Sequence, residues 1–414
     1  MSYYKATNRV EKLQKILQLF RLFAVTRKNR KKVQSKMYSV FMVIPELDRL
    51  GGYEKQGLQL AGALAQSGNL VSIISDRTGN FPPREFRNGF LIHRLGGFKL
   101  LLFFRLIVFL ASRRRTFQLM HVHGVTGFSV IAAWIGRMLG KPVCLKAATR
   151  DDLRNVFSSR GLKSRLYRRI LKNIPNMIAV SEELGQEMQS CGIPPARITR
   201  IPNFVNSVKF TVPSPDRKQI LRRKHGVSDS TVVFLCLCRL EKRKGVEFLL
   251  QAWKEYPGGV LWIVGGGPEE ENLKELAEHL KLSQVVFFGT QLAPLDYYQA
   301  ADVFVFPSTK EGFPNVLLEA MSCGLPCISS AIGGVTDLLL QDLQGLLVPP
   351  GDPLALSEAM RKAHSSPDRK RWSAGARMTV EENYDISRIT AAYLNLYSRA
   401  VEGHIRPSQA GNES

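Results

Sequence analysis

Apolar and polar positions repeat one arrangement along this chain: a short apolar run, a glycine-bearing loop, a stretch with helical spacing, then another apolar run. Tyr38 to Ile44 is largely apolar, the following loop carries Gly51 and Gly52, residues 54–66 have helical periodicity ended by Ser67-Gly68, and Leu70 to Ser75 is apolar again. Runs of this length bounded by turn residues predict strands buried on both faces, joined by crossover helices. Further strands are expected at 119–122, 143–146, 177–180 and 198–201, which makes a parallel sheet covered by helices. The polar, proline-bearing stretch 211–217 reads as a linker. The pattern then restarts, with strands expected at 232–237, 260–264, 285–288, 303–306 and 326–329 and helices such as 268–279 between them. A last amphipathic stretch, 388–401, is expected to cross back to the first domain.

The fold class is therefore α/β, with two Rossmann-like doubly wound domains facing each other across a cleft. A length of 414 residues agrees, since one hydrophobic core rarely serves so long a chain. The expected organisation is a basic amphipathic arm (1–36), a first domain (37–210), a second domain (211–387), a returning helix (388–403) and a polar tail (404–414).

Charge adds a preference for polyanionic partners, because 58 Lys and Arg stand against 35 Asp and Glu, a formal charge of +23. Residues 1–36 hold eleven of those bases and one acid, Glu11, around an apolar stripe of Leu13, Ile16, Leu17, Phe20 and Ala24. This reads as an interfacial helix on an anionic membrane surface, or else as a frayed arm or sequence upstream of a start at Met37. Residues 100–111 are apolar but for Arg105 and are flanked by Lys99 and by Arg113, Arg114 and Arg115. A spanning helix needs roughly 20 apolar residues, so this run is a buried helix or a monotopic insertion. Two basic-apolar segments together favour membrane docking, and a location on the cytoplasmic face of a membrane.

The six cysteines, Cys144, Cys191, Cys236, Cys238, Cys323 and Cys327, occur without a secretory leader pattern, so a reducing compartment is expected and a disulfide framework is not. Cys236 and Cys238 lie in an apolar strand-like run with no matching Cys or His pair, which makes them buried thiols rather than half of a metal site.

The densest chemistry is Glu311-Gly-Phe-Pro-Asn-Val-Leu-Leu-Glu319. Pro314 suits the first turn of a helix, whose free amides near Phe313, Asn315 and Val316 would favour a phosphate. The eight-residue separation of Glu311 and Glu319 lets both carboxylates face one ligand at different depths. This motif after a strand ending Phe-Pro-Ser resembles the signature of the retaining glycosyltransferases of family 4, the glycosyl transferases group 1. Arg239-Leu-Glu-Lys-Arg-Lys244-Gly245 is similar to that family's phosphate-binding segment, in which an Arg and a Lys clamp the donor diphosphate. Gly51 and Gly52 resemble its glycine-rich loop, Val264 to Gly267 its nucleotide-side loop, Phe288-Gly289 the strand end near the base, and His121-Val-His123 the strand end beside the donor sugar. Departures stand at Phe204 and Asn206, where the family ordinarily has Pro-Asn-Gly-Val-Asp, and at Lys146 to Thr149, where many relatives carry a His.

The resemblance covers roughly residues 38–400. It implies a GT-B fold with an acceptor-side first domain and a donor-side second one, and transfer of a hexose-type sugar from a UDP- or GDP-sugar with retention. No cofactor and no essential metal are then expected, because Arg239, Lys244 and the helix and loop amides would stabilise the leaving diphosphate. Glu311 and His123 would act at the donor sugar and Glu319 at the ribose, with Gly51, Gly52, Asn315 and Val316 at the phosphates and Gly267, Gly289 and Phe313 at the sugar and nucleotide. The membrane-directed segments then point to a glycan or lipid-linked acceptor of lipopolysaccharide or polysaccharide assembly. Rival readings are a sugar-nucleotide epimerase or another GT-B enzyme on a soluble substrate, and a basic nucleic-acid-binding protein. No recognition module or zinc spacing supports the last, so no specific nucleic-acid partner is expected.

Overall fold

The computed structural model describes residues 37–49, 51–77, 81–147, 150–256 and 258–405. The basic arm 1–36 and the end of the polar tail lie outside the described residues. The described residues from Tyr38 onward form one compact unit containing two sheets.

The first sheet has β1 (Ser39–Val43), β2 (Leu70–Asp76), β3 (Arg84–Arg87), β4 (Phe90–Leu95), β5 (Leu119–His123), β6 (Val143–Lys146), β7 (Asn176–Ala179) and β8 (Ile198–Arg200), in the order β3-β4-β2-β1-β5-β6-β7-β8. The second has β9 (Val233–Leu237), β10 (Val260–Val264), β11 (Val285–Phe287), β12 (Val303–Phe306), β13 (Cys327–Ser330) and β14 (Gly345–Val348), in the order β11-β10-β9-β12-β13-β14. All pairings are parallel except β3 with β4. That hairpin turns on Asn88 and Gly89, both at positive φ (47° and 86°), the conformation a two-residue hairpin loop requires.

Strand alternation divides the core. Val40, Met42 and Ile44 pack with Leu60, Leu64, Tyr393 and Tyr397, while Phe41 and Val43 pack with Leu106, Leu110 and Val130 on the other face. The helix Ile386–Ile405 thus covers the first sheet, although the chain reaches it from the second. An Asp385 carboxylate accepting from the Ser207 hydroxyl at 2.6 Å fixes the crossing.

The 211–217 stretch is only partly a linker. Ser214 caps a helix, Pro215–Lys224, by accepting from the Arg217 amide at 3.3 Å, and Pro215 takes the first-turn position that tolerates its missing N–H. The 100–111 run is a helix, Lys99–Ser112, that is buried on one face only: Leu106, Phe109 and Leu110 lie in the core, and Leu101, Phe104, Ile107 and Val108 are exposed.

Candidate functional site

In each sheet the strand order reverses once, between β1 and β5 in the first and between β9 and β12 in the second. Ligands of open parallel sheets bind beyond the carboxyl ends of the strands at such switch points. The residues singled out above fall there: Gly51 and Gly52 after β1, His123 at the end of β5, Arg239 to Lys244 after β9, and Glu311 after β12.

Lys244 and Glu311 meet although 67 residues apart. The Lys244 ammonium pairs with the Glu311 carboxylate, which also accepts from the Ser308 hydroxyl at 3.0 Å and from Arg243 at 3.4 Å. Their side chains are only 12% and 10% exposed, so the pair is shielded from much of the solvent screening that weakens surface ion pairs. Gly245, at φ +65°, lets the loop pass: a Cβ there would lie 2.3 Å from the Pro307 carbonyl oxygen. Arg239 is not drawn into this cluster; its side chain is 72% exposed and pairs with Glu241 at 3.1 Å. The cationic partner beside Lys244 is Arg243, which sequence reasoning did not single out.

The Glu-bearing helix runs from Asn315 to Ser322, with Pro314 at its cap rather than inside its first turn. Its first amides, Asn315 and Val316 among them, have no helical acceptor and form an anion-favouring end. The Phe313 side chain goes inward against Tyr384, ring centroids 5.8 Å apart, so of this residue only the backbone is offered to the groove. Glu319, one turn into the helix, accepts from the Tyr298 hydroxyl at 2.9 Å. Burial raises its carboxyl above the ordinary value, against the opposing pull of Tyr298, Lys55 and Lys209.

Gly267 lies where a Cβ would meet the Leu240 carbonyl oxygen at 2.3 Å, and the Gly265 amide donates to the Gly289 oxygen at 2.8 Å. These three glycines let the loops after β10 and β11 close on the phosphate-side segment 239–241. Gly289 itself is left-handed, at φ +62°.

His123 is fully buried, stacked on His121 with centroids 4.4 Å apart and edged by Tyr53 at 5.7 Å. Burial, then the neighbouring His121 and Lys146, push its pKa well down, so it is a neutral imidazole. Neither ring nitrogen has a hydrogen-bond partner among the described residues.

Contacts between the two sheets converge on the helix head. The Asn315 side-chain amide donates to the Gly52 carbonyl oxygen at 2.9 Å, and Asn203 donates to the Phe313 oxygen at 3.1 Å and to Asn315 Oδ1 at 2.9 Å. Lys146 donates to Asn203 Oδ1 at 2.9 Å. Phe204, one of the departures noted in the sequence, is buried, with its backbone held by both ends of the Gln56 amide; Asn206, the other, caps a turn by accepting from the Lys209 amide at 2.9 Å.

Known proteins share these features. The family description "Glycosyltransferase Family 4" matches residues 50–209 and "Glycosyl transferases group 1" matches residues 217–379. A lipopolysaccharide core biosynthesis glycosyltransferase of Rhizobium meliloti, LpsD, is 31% identical over 231 residues, 55% of this chain; the match spans 65% of that relative, just under two thirds of its length. Among solved structures, sucrose-phosphate synthase from Thermosynechococcus elongatus superposes with a TM-score of 0.75 at 24% identity, over 88% of this chain and 100% of that one. Anabaena HepE in complex with UDP-glucose gives 0.73 at 18% identity, over 87% and 99%. The folds are alike throughout, and the two family descriptions meet at the junction of the two sheets: the chain belongs to the GT-B glycosyltransferases of the family 4 type.

Proposed function

We propose that this glycosyltransferase moves a hexose-type sugar, with retention of anomeric configuration, from a UDP- or GDP-sugar to a membrane-associated glycan or lipid-linked acceptor of lipopolysaccharide or polysaccharide assembly. The observation that carries the donor half is the Lys244–Glu311 pair beside the anion-favouring head of the 315–322 helix. When the bond between sugar and phosphate breaks, the electron pair leaves with the diphosphate. Lys244, Arg243 and the helix amides are preorganised to take up that charge, the role a metal ion serves elsewhere. Glu311, held by Lys244 and Ser308, is suited to accept from donor-sugar hydroxyls and Glu319 from those of the ribose, while neutral His123 is fully buried at the end of β5 with neither ring nitrogen partnered among the described residues. HepE, of like fold, has been crystallised with UDP-glucose, which supports a nucleotide-sugar donor.

The acceptor half rests on the helix Lys99–Ser112. No helix of the described residues is long and apolar enough to cross a membrane. Phe98, Leu101, Phe104, Ile107 and Val108 nevertheless expose apolar surface, beside a cavity of about 440 Å³ lined by Arg77, Arg84, Arg94, Arg105 and Arg113. Asp48 and Glu85 neutralise Arg94, at 3.0 and 2.9 Å, and leave the rest of the arginine charge in excess. An apolar face bordered by uncompensated guanidinium groups matches an anionic lipid surface. The LpsD relative is named for lipopolysaccharide core biosynthesis, which supports the same acceptor class.

The test is to incubate the full chain with isotopically labelled UDP- and GDP-hexoses and with membrane lipid extract. Labelled sugar should move to the lipid or glycan fraction, and the product's anomeric configuration, read by NMR, should be that of the donor. Transfer only to soluble acceptors, or inversion, would overturn the corresponding part.

A further inference from the structure

Lys146 ends β6 fully inside the protein, and among the described residues the one side chain to which its ammonium donates is Asn203. Placing a charge there has a cost that well-packed apolar residues would avoid, so its retention calls for a use. Its partner supplies one. With Oδ1 engaged by Lys146, the Asn203 amide is fixed with Nδ2 forward, and that nitrogen donates to Phe313 O and Asn315 Oδ1 at the head of the Glu-bearing helix. Asn315, with its oxygen thus occupied, turns its own Nδ2 to the Gly52 carbonyl. Each group's orientation is dictated by the one before it, and the chain passes from the first sheet to the second and back to the first.

We propose that Lys146 is a positioning residue for the transfer reaction: through Asn203 it orients Asn315 and holds the head of the 315–322 helix against the glycine loop of the first sheet. The inference rests on the donor site proposed above. The groups facing Lys146 are His121 and His123 of the adjoining strand, both neutral, and the Tyr393 ring, 5.9 Å away on the returning helix. None of them is anionic, so the ammonium's stabilisation comes from the Asn203 oxygen and the ring face. Burial accordingly draws its pKa down to about 7.

Two variants of the full chain test this. Lys146→Met removes the donor while filling the space, and Asn203→Asp keeps an acceptor for Lys146 but loses both bonds to the helix head. Each is expected to lower kcat/KM for the sugar nucleotide at least tenfold. Lys146→Met should leave the thermal midpoint unchanged or raised, a split that a merely structural lysine would not give. The double variant should be no worse than either single one, because both cut the same chain. In the protein without donor, hydrogen exchange at amides 315–318 should quicken in both variants. Losses that multiply, or kcat/KM within twofold of wild type, would overturn the inference. Should wild type bind no sugar nucleotide, the donor reading fails instead, and exchange alone decides whether the tie exists: quickened exchange keeps it and unchanged exchange removes it.

Discussion

The Asn315 side chain donates to the Gly52 carbonyl oxygen at 2.9 Å, joining two residues 263 positions apart across the groove between the sheets. Gly52 opens the helix after β1, and Asn315 opens the helix that carries Glu319. The two anion-favouring helix ends therefore face one volume, and the bond between them sets their spacing.

That spacing makes Asn315→Ala informative. It removes the bond to Gly52 and a partner of Asn203 without touching the carboxylates. Transfer should fall about tenfold, the equivalent of one net hydrogen bond of about 1.4 kcal/mol. Steady-state kinetics on the preferred donor check it, and wild-type kinetics would show that the spacing is unimportant.

Lys244→Ala should do more harm. The variant loses the cation closest to Glu311 and leaves that carboxylate to Ser308 and Arg243. A fall in kcat of about 10²–10³ is expected, the range seen when one preorganised charge-stabilising group is lost. Arg239→Ala should cost much less, because Arg239 is mostly exposed and pairs with Glu241.

Tyr298→Phe probes the inner carboxylate. The Tyr298 hydroxyl favours the ionised form of Glu319, whose pKa burial has already raised. Donor binding should therefore weaken as pH falls toward that raised value, and the variant should move the weakening to higher pH. Calorimetric titration of nucleotide binding across pH 4.5–8 would read the shift; coincident curves would separate Glu319 from nucleotide binding.

Lys146 gives stability a pH dependence of known sign. Its pKa is about 7 in the folded chain and near the ordinary lysine value of 10.5 when unfolded, so between these values the unfolded chain binds more protons. Stability contributed at this site rises with pH across that window, by up to about 1.4 kcal/mol per pH unit, and the burial penalty is fully present below about pH 7. Relative to Lys146→Met, wild type should gain stability from pH 6.5 to 9 in denaturant titrations. A constant difference would contradict a neutralising Lys146.

Phe104→Glu combined with Val108→Glu should reduce co-sedimentation with phosphatidylglycerol vesicles several-fold and leave turnover with a soluble acceptor analogue intact. Added salt should weaken the binding that remains, because the arginines around the neighbouring cavity act through screened attraction.

Strand positions were legible in the sequence because both faces of a parallel sheet are buried, so each strand is an apolar run with a sharp edge; β6 and β10 lie where the pattern puts them. The β3–β4 hairpin was missed despite its Asn88-Gly89 signal, since Arg84 to Arg87 carries too many exposed charges to read as a strand. At the site, backbone-determined features were legible: the glycine loops after the strands and the helix head; the pairing of Lys244 with Glu311 was not, because it is a side-chain contact across 67 residues. Side-chain direction did not. Phe313 turns inward against Tyr384, 71 residues on, and Arg239 turns outward into solvent, where it pairs with Glu241. Lys146 and Asn203 were visible only as a departure and as part of a motif, because their bond is made by tertiary contact across 57 residues.

The most direct measurement is binding of a panel of UDP-, GDP- and ADP-sugars to the purified protein by titration calorimetry, alongside Lys244→Ala and Glu319→Ala. UDP- or GDP-sugars should bind in preference to the rest, and both substitutions should weaken binding by tenfold or more. Binding of no sugar nucleotide, or binding indifferent to both substitutions, would contradict the placement of the donor at Lys244, Glu311 and Glu319.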